Sequence, residues 1–121
     1  MPKYVDGFVI PIAKKNLAAY RVMAKMGAKA WMKHGALQYF ECVGDDLAPQ
    51  FGALGFPKMA KLKPDETAIF AFITFKSKAH RDKVNKAVMK EMSDDDNNDP
   101  KNMPFNFKRM AYGGFTVLVD A

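Results

Sequence analysis

Residues 67–75, TAIFAFITF, are apolar at odd and even positions alike. A strand sends successive side chains to opposite faces, so this run places Ile69 and Ile73 on one side and Phe70 and Phe72 on the other. Such a strand has to be covered twice. The last apolar stretch makes the same demand, with Phe115, Val117 and Val119 on one side and Met110, Tyr112, Thr116 and Leu118 on the other. One layer of helices covers one face of a sheet, and a chain of 121 residues has little else to offer the second. A second copy of the chain is the economical cover, which predicts a homodimer with its sheets packed face to face.

The remaining segments fall into order around that strand. Residues 3–12 alternate and are rich in Val, Ile, Tyr and Phe, predicting a strand with Tyr4, Asp6, Phe8 and Ile10 on one face and Pro11 near its end. Residues 14–34 take up the helical period, and Gly35 supplies a left-handed stop. ALQYFECVG then predicts a strand with Leu37, Tyr39, Glu41 and Val43 on one face and Gln38, Phe40 and Cys42 on the other. Residues 44–64 are long for a connection, so part of that stretch, around residues 58–62, is expected to be ordered, with KPDE forming a turn. Ser77 caps a second helix running to Met92, with His80, Val84, Ala87 and Val88 on one arc. SDDDNNDP ends it as a solvated loop. Residues 109–120 form the last strand, where Gly113 and Gly114 mark either a bulge or the close approach of another backbone or a ligand. The order is strand, helix, strand, strand, helix, strand. It predicts an α+β fold of ferredoxin-like βαββαβ topology, an antiparallel sheet with two helices on one face, in one domain over residues 1–121.

Four blocks, YVDGFV, HGALQYFECVGDD, KPDETAIFAFITFKSKAHRD and MPFNFKRMAYGGFTVLVD, occur in this order across nearly the whole chain. Together they resemble the YbaA-like family of uncharacterised bacterial proteins. The resemblance implies a dimeric α+β barrel, in which two ferredoxin-like units join their sheets, in agreement with the dimer expected from the apolar pattern. The family brings no established activity, so the resemblance assigns no catalytic residue, and the fold hosts many unrelated functions.

Composition narrows the classes. A content of 49% hydrophobic and 26% charged residues belongs to a globular protein rather than a disordered one. The single cysteine, Cys42, excludes an internal disulfide framework and a multi-thiolate zinc site, and its place in a strand reads as a small buried hydrophobe. No window approaches the roughly 20 apolar residues of a membrane span, and the first residues lack a signal-peptide pattern, so a cytoplasmic protein without membrane attachment is expected.

The net charge of +6 is unevenly spread. The acidic loop holds four aspartates, which leaves 19 basic residues against nine acids elsewhere, or +10. Lys14, Lys15, Arg21, Lys25, Lys29 and Lys33 all fall on the first helix. Arg21, Lys25, Lys29 and Lys33 recur every fourth residue, a stripe that reads either as a solvated face or as an anion-binding surface for RNA or another polyanion. Stacking aromatics, which such a module uses, fall instead at core positions, so nucleic acid ranks second as a partner. The opposite side of the helix is broad and apolar, from Leu17 through Tyr20, Ala24 and Ala28 to Trp31, and reads either as a second contact surface or as the wall of a pocket.

A pocket between sheet and first helix, bordered by Asp6, Trp31, His34, Glu41, Arg109 and Tyr112, is therefore the leading candidate site, for a small-molecule ligand or weak catalysis. Asp6 lies among inward apolar residues and needs a partner, for which Arg109, Lys108 and Tyr112 are the candidates. His34 with Glu41, and Asp45 and Asp46 beyond, offers donors for one divalent metal if they converge, although His34 also suits a helix end and the aspartates a turn. No resident metal or cofactor is expected.

Overall fold

The doubly apolar run forms an inner strand. β3 (Glu66–Phe75) pairs antiparallel with β2 (Gln38–Val43) on one side and with β1 (Tyr4–Ala13) on the other, and β4 (Ala111–Thr116) adds to β1, giving the order β2-β3-β1-β4. The computed structural model describes residues 2–93 and 102–121. The acidic loop expected after Met92 lies, beyond Ser93, outside the described residues.

Register settles which side chains share a face. Asp6 stands opposite Ile73 and Gly114, Phe8 opposite Ala71 and Tyr112, and Tyr39 opposite Ile73. Two helices cover this inner face: α1 (Leu17–Lys33) and, after the one-turn α2 (Phe56–Met59), α3 (Lys78–Met92). Ile10, Ile12, Ile69 and Ala71 pack against Tyr20 and Ala24 of α1, while Ile73 and Phe75 pack against Ala30 of α1 and Val84 and Val88 of α3. This is the expected ferredoxin-like α+β architecture.

The helices begin and end for local reasons. Ser77 Oγ accepts from the His80 amide at 3.1 Å, capping α3. α1 stops at Gly35, whose φ of 111° lies in the region glycine favours. Residues 14–16, expected as its first turn, wind as a 3-10 turn instead, with no side chain capping the entry. The order expected in the long connection starts at Phe56, where Gly55 and Pro57 set up the single turn of α2. The turn at KPDE closes through Glu66 N to Lys63 O at 2.9 Å.

Three expectations are corrected. The last strand is half the length expected: Phe107–Arg109 forms a 3-10 turn, and β1 offers no ladder beyond Tyr4 except Lys3 O, which accepts from Val117 N. Leu118 and Val119 are consequently 95% and 80% exposed. Gly113 and Gly114 make no bulge, since the ladder with β1 runs through them in register. They accommodate side chains instead: a Cβ on Gly114 would stand 2.5 Å from Tyr4 Oη and 2.9 Å from Arg81 Nη1. Within the single chain Cys42 is exposed rather than buried, because it shares the outward face of edge strand β2 with Phe40.

That outward face is the second apolar surface demanded by β3. Phe40 stacks on Phe72 with ring centroids 5.1 Å apart, and Phe70 lies 5.9 Å from Phe72. Among the described residues, α2 reaches this face at Phe56, edge-on to Phe70. Phe40, Phe70 and Phe115 nevertheless remain 47%, 47% and 60% exposed.

Candidate functional site

Small residues on facing elements leave room between α1 and the sheet. Ala24 and Gly27 on α1 and Ala71 on β3 line a cavity of about 750 Å³ between the helices and the inner sheet face, within the range of small-molecule sites. Methionines supply much of its wall, Met23 from α1 and Met89 and Met92 from α3, with Met103 and Met110 from the segment leading into β4. That segment is held against the start of α1 by Asn16 Nδ2, which donates to Pro104 O at 3.1 Å, and by Phe105, whose ring meets Tyr20 at 5.7 Å.

Two polar groups face this space. The first is Glu41 on β2. Tyr20 donates its hydroxyl to Oε1 and Tyr39 donates to Oε2, each at 2.6 Å. Burial, and then the hydrogen bond to the Glu41 carboxylate, push both phenols far above their ordinary pKa, so both keep their protons and act as donors. Gly27 makes this possible, because a Cβ there would lie 3.0 Å from Tyr39 Oη. Trp31, one turn further along α1, packs against the Tyr39 ring with centroids 6.0 Å apart.

The second group is centred on Asp6, 1% exposed. Arg81 Nη1 donates to Oδ1 at 2.6 Å and Asn85 Nδ2 donates to Oδ2 at 3.1 Å. Asn85 Oδ1 in turn accepts from Trp31 Nε1 at 2.9 Å. Arg81 Nη1 also donates to Tyr112 Oη at 3.1 Å, its Nε donates to Asp82, and its guanidinium lies 4.8 Å from the centre of the Tyr4 ring. Burial and the Asp6 charge raise the Tyr112 pKa. The carboxylate is thus fully paired, and its partner comes from α3. Of the partners expected for Asp6, Arg109 and Lys108 are replaced by Arg81, and Tyr112 joins through it.

Four of the six candidate pocket residues, Asp6, Trp31, Glu41 and Tyr112, line the cavity together. His34 and Arg109 lie elsewhere. His34 ends α1 as expected, and its Nε2 is 3.4 Å from Glu91, whose carboxyl is held below its usual pKa mainly by Lys33. Arg109 grips Glu66 with two nitrogens at 2.6 and 2.8 Å and donates to Lys61 O. The metal constellation does not assemble: His34 turns to Glu91, Glu41 to two tyrosines, and the described residues contain no group of three or more His, Cys, Asp or Glu able to hold an ion. Arg81 and Asn85 were not singled out by the sequence, while Tyr20 was read only as part of the apolar side of α1 and Tyr39 only as a face-mate of Glu41. The spacing of Arg81, Asn85, Met89 and Met92 along one side of α3 is the signal that would have found that wall.

Of the basic stripe, Arg21, Lys25 and Lys29 are exposed, while Lys33 donates to Glu91 at 2.6 Å. Both aromatics of α1, Tyr20 and Trp31, line the cavity.

Comparison with known proteins agrees with this architecture. Residues 3–107 match the model of a family described as proteins of unknown function, DUF1428. The chain is 36% identical over 124 aligned positions to the uncharacterized protein YbaA of Escherichia coli K12, covering 98% of each, and matches YbaA of Shigella flexneri equally. A crystal structure described as a dimeric ferredoxin-like protein from an uncultured marine organism superposes over the full length of both chains with a TM-score of 0.60 at 10% identity, a likeness of fold. With matching sequence over nearly its whole length, the chain belongs to the DUF1428 family of uncharacterised YbaA-like bacterial proteins.

Proposed function

We propose that this chain is a single-domain protein that binds a small, largely apolar molecule in the cavity between α1, α3 and the sheet, and that it works as a homodimer of the dimeric α+β barrel type. The observation that carries the binding reading is the cavity itself: about 750 Å³ lined by methionines and aromatic rings, with two polar clusters aimed into it. A cleft of this size between helices and sheet, apolar over most of its lining and carrying a few convergent polar groups, has the usual form of a small-molecule site. Methionine walls adapt to the shape of a guest.

The dimer reading is supported by the outward face on which Phe40, Phe70 and Phe115 are exposed, and by the dimeric description of the protein that shares the fold. The polyanion reading ranks second, because the exposed face of α1 carries charge without stacking rings beside it.

Trp31 is the chain's one tryptophan and lines the cavity, so its fluorescence reports occupancy directly. Titration with n-decanol is expected to change it saturably. In Ala71→Leu, which fills the floor of the cavity, that response is expected to vanish while the thermal midpoint stays level or rises. A silent Trp31, or a response unaltered by Ala71→Leu, rejects the reading.

A further inference from the structure

The charge inside the cavity runs against the charge of the molecule. The chain carries +6, yet among the described residues lining the cavity there is no Lys, Arg or His, and there are two carboxylates. These differ in one respect. Asp6 is neutralised by Arg81 at 2.6 Å. Glu41 has no basic side chain within 4 Å among the described residues and is held by two neutral phenols. Two hydroxyl donors satisfy part of what a carboxylate can accept, about four lone-pair sites in all, and they leave its charge uncompensated. Glu41 is half-buried on a largely apolar wall, where an opposite charge beside it would offset part of its desolvation cost.

The surroundings fit a particular cation. Opposite Glu41 in the register is Ala71, itself opposite Phe8 on β1, so the sheet residue beside Glu41 is only a methyl group and lines the cavity with it. Tyr39, with Trp31 packed against it, and Tyr20, with Phe105 at its edge, supply aromatic rings on both sides of the carboxylate. Ring faces attract ammonium groups, and the methionines beyond accept an aliphatic body. A metal ion would find a single carboxylate here, since Asp6 is engaged two strands away on β1.

We infer that the cavity selects an amine-bearing apolar molecule, bound as its ammonium with N–H groups donated to Glu41 and its hydrocarbon portion along the methionine wall. This rests on the small-ligand reading above and names the chemical class it takes. The phenols orient the carboxylate, and the cation supplies the charge that they lack.

The test compares n-decylamine, n-decanol and decanoate, each below its micelle concentration, on the unsubstituted protein and on Glu41→Gln, with Trp31 fluorescence and calorimetry as readouts. Both head groups can donate a hydrogen bond to Glu41 but only the ammonium adds an opposite charge, so decylamine is expected to bind at least about tenfold more tightly than decanol, with decanoate weakest. In Glu41→Gln the preference for the amine over the alcohol is expected to fall to within about threefold. Equal affinities for the three head groups on the unsubstituted protein, which need no variant, overturn the inference and leave the apolar-ligand reading standing. So does an amine preference that survives in a folded Glu41→Gln protein. Failure of all three compounds to bind overturns both.

Discussion

Replacing Gly27 with alanine tests whether the Tyr39 phenol is fixed between α1 and Glu41. In an unobstructed helix interior the change stabilises by about 1 kcal/mol, since glycine loses more backbone entropy on folding. At this position the new Cβ would stand 3.0 Å from Tyr39 Oη, while its contact with Trp31 at 3.7 Å is ordinary. The oxygen can retreat only by disturbing its 2.6 Å bond to Glu41, and the Trp31 ring backs the phenol. A hydrogen bond to a charged group contributes about 1.5–3 kcal/mol, so disrupting most of it outweighs the helical gain. Gly27→Ala is therefore expected to be less stable by about 1 kcal/mol, roughly 4 °C in Tm for a domain of this size. In a Tyr39→Phe background the obstructing oxygen is gone and the nearest ring carbon, at 3.8 Å, is in normal contact. There the same alanine should stabilise by about 1 kcal/mol. Urea unfolding of the four proteins of this cycle is thus expected to give a coupling of about 2 kcal/mol. A Gly27→Ala protein more stable than the unsubstituted chain, or a cycle that closes to within about 0.5 kcal/mol, would refute the reasoning.

Asp6→Ala removes the buried partner of Arg81, 14% exposed, and of the Asn85 amide, leaving Asp82 at the surface as the acid still paired with Arg81, and should cost about 3 kcal/mol in urea unfolding; a loss under about 1 kcal/mol would mean that the pair is not structural. Arg109 and the Lys63 amide hold the Glu66 carboxyl at about 2, below its usual value near 4.5. Its folded pKa is the lower one, so its contribution is present above about pH 4.5 and is lost as pH falls towards about 2, and Glu66→Gln should flatten the urea midpoint against pH across that window. Phe72→Glu places a charge in the middle of the outward sheet face and should give monomers in sedimentation equilibrium. Cys42 lies on that face, opposite Phe70, so its reaction with a maleimide should be slow in the unsubstituted protein and at least about tenfold faster in Phe72→Glu; equal rates would place the dimer contact elsewhere.

Elements with a strong period were legible and their edges were not. The alternation in residues 3–12 and 67–75 placed both long strands, and Ser77 and Gly35 marked helix ends because capping is a local interaction. β4 was overread by several residues at its C-terminal end. Its sequence stays apolar to Val119, but a strand persists only where a neighbour supplies hydrogen bonds, and β1 ends at Tyr4. Cys42 was misplaced because its residue type was weighed above the face that alternation assigns it.

The sequence alone determined the order of elements, the side of each strand that Asp6, Tyr39 and Glu41 occupy, and the surplus of apolar surface that one chain cannot bury. Those are consequences of periodicity, which neighbouring residues encode. Tyr39 and Glu41, two residues apart on one strand face, are neighbours by alternation, but the long-range polar partners were decided only by the tertiary structure. Asp6 meets Arg81 across 75 residues and Glu41 meets Tyr20 across 21, and no spacing in the chain specifies such meetings. Which helix crosses which strand, and at what height, depends on small residues such as Gly27, Ala71 and Gly114, whose effect is the room they leave for side chains brought from elsewhere in the fold.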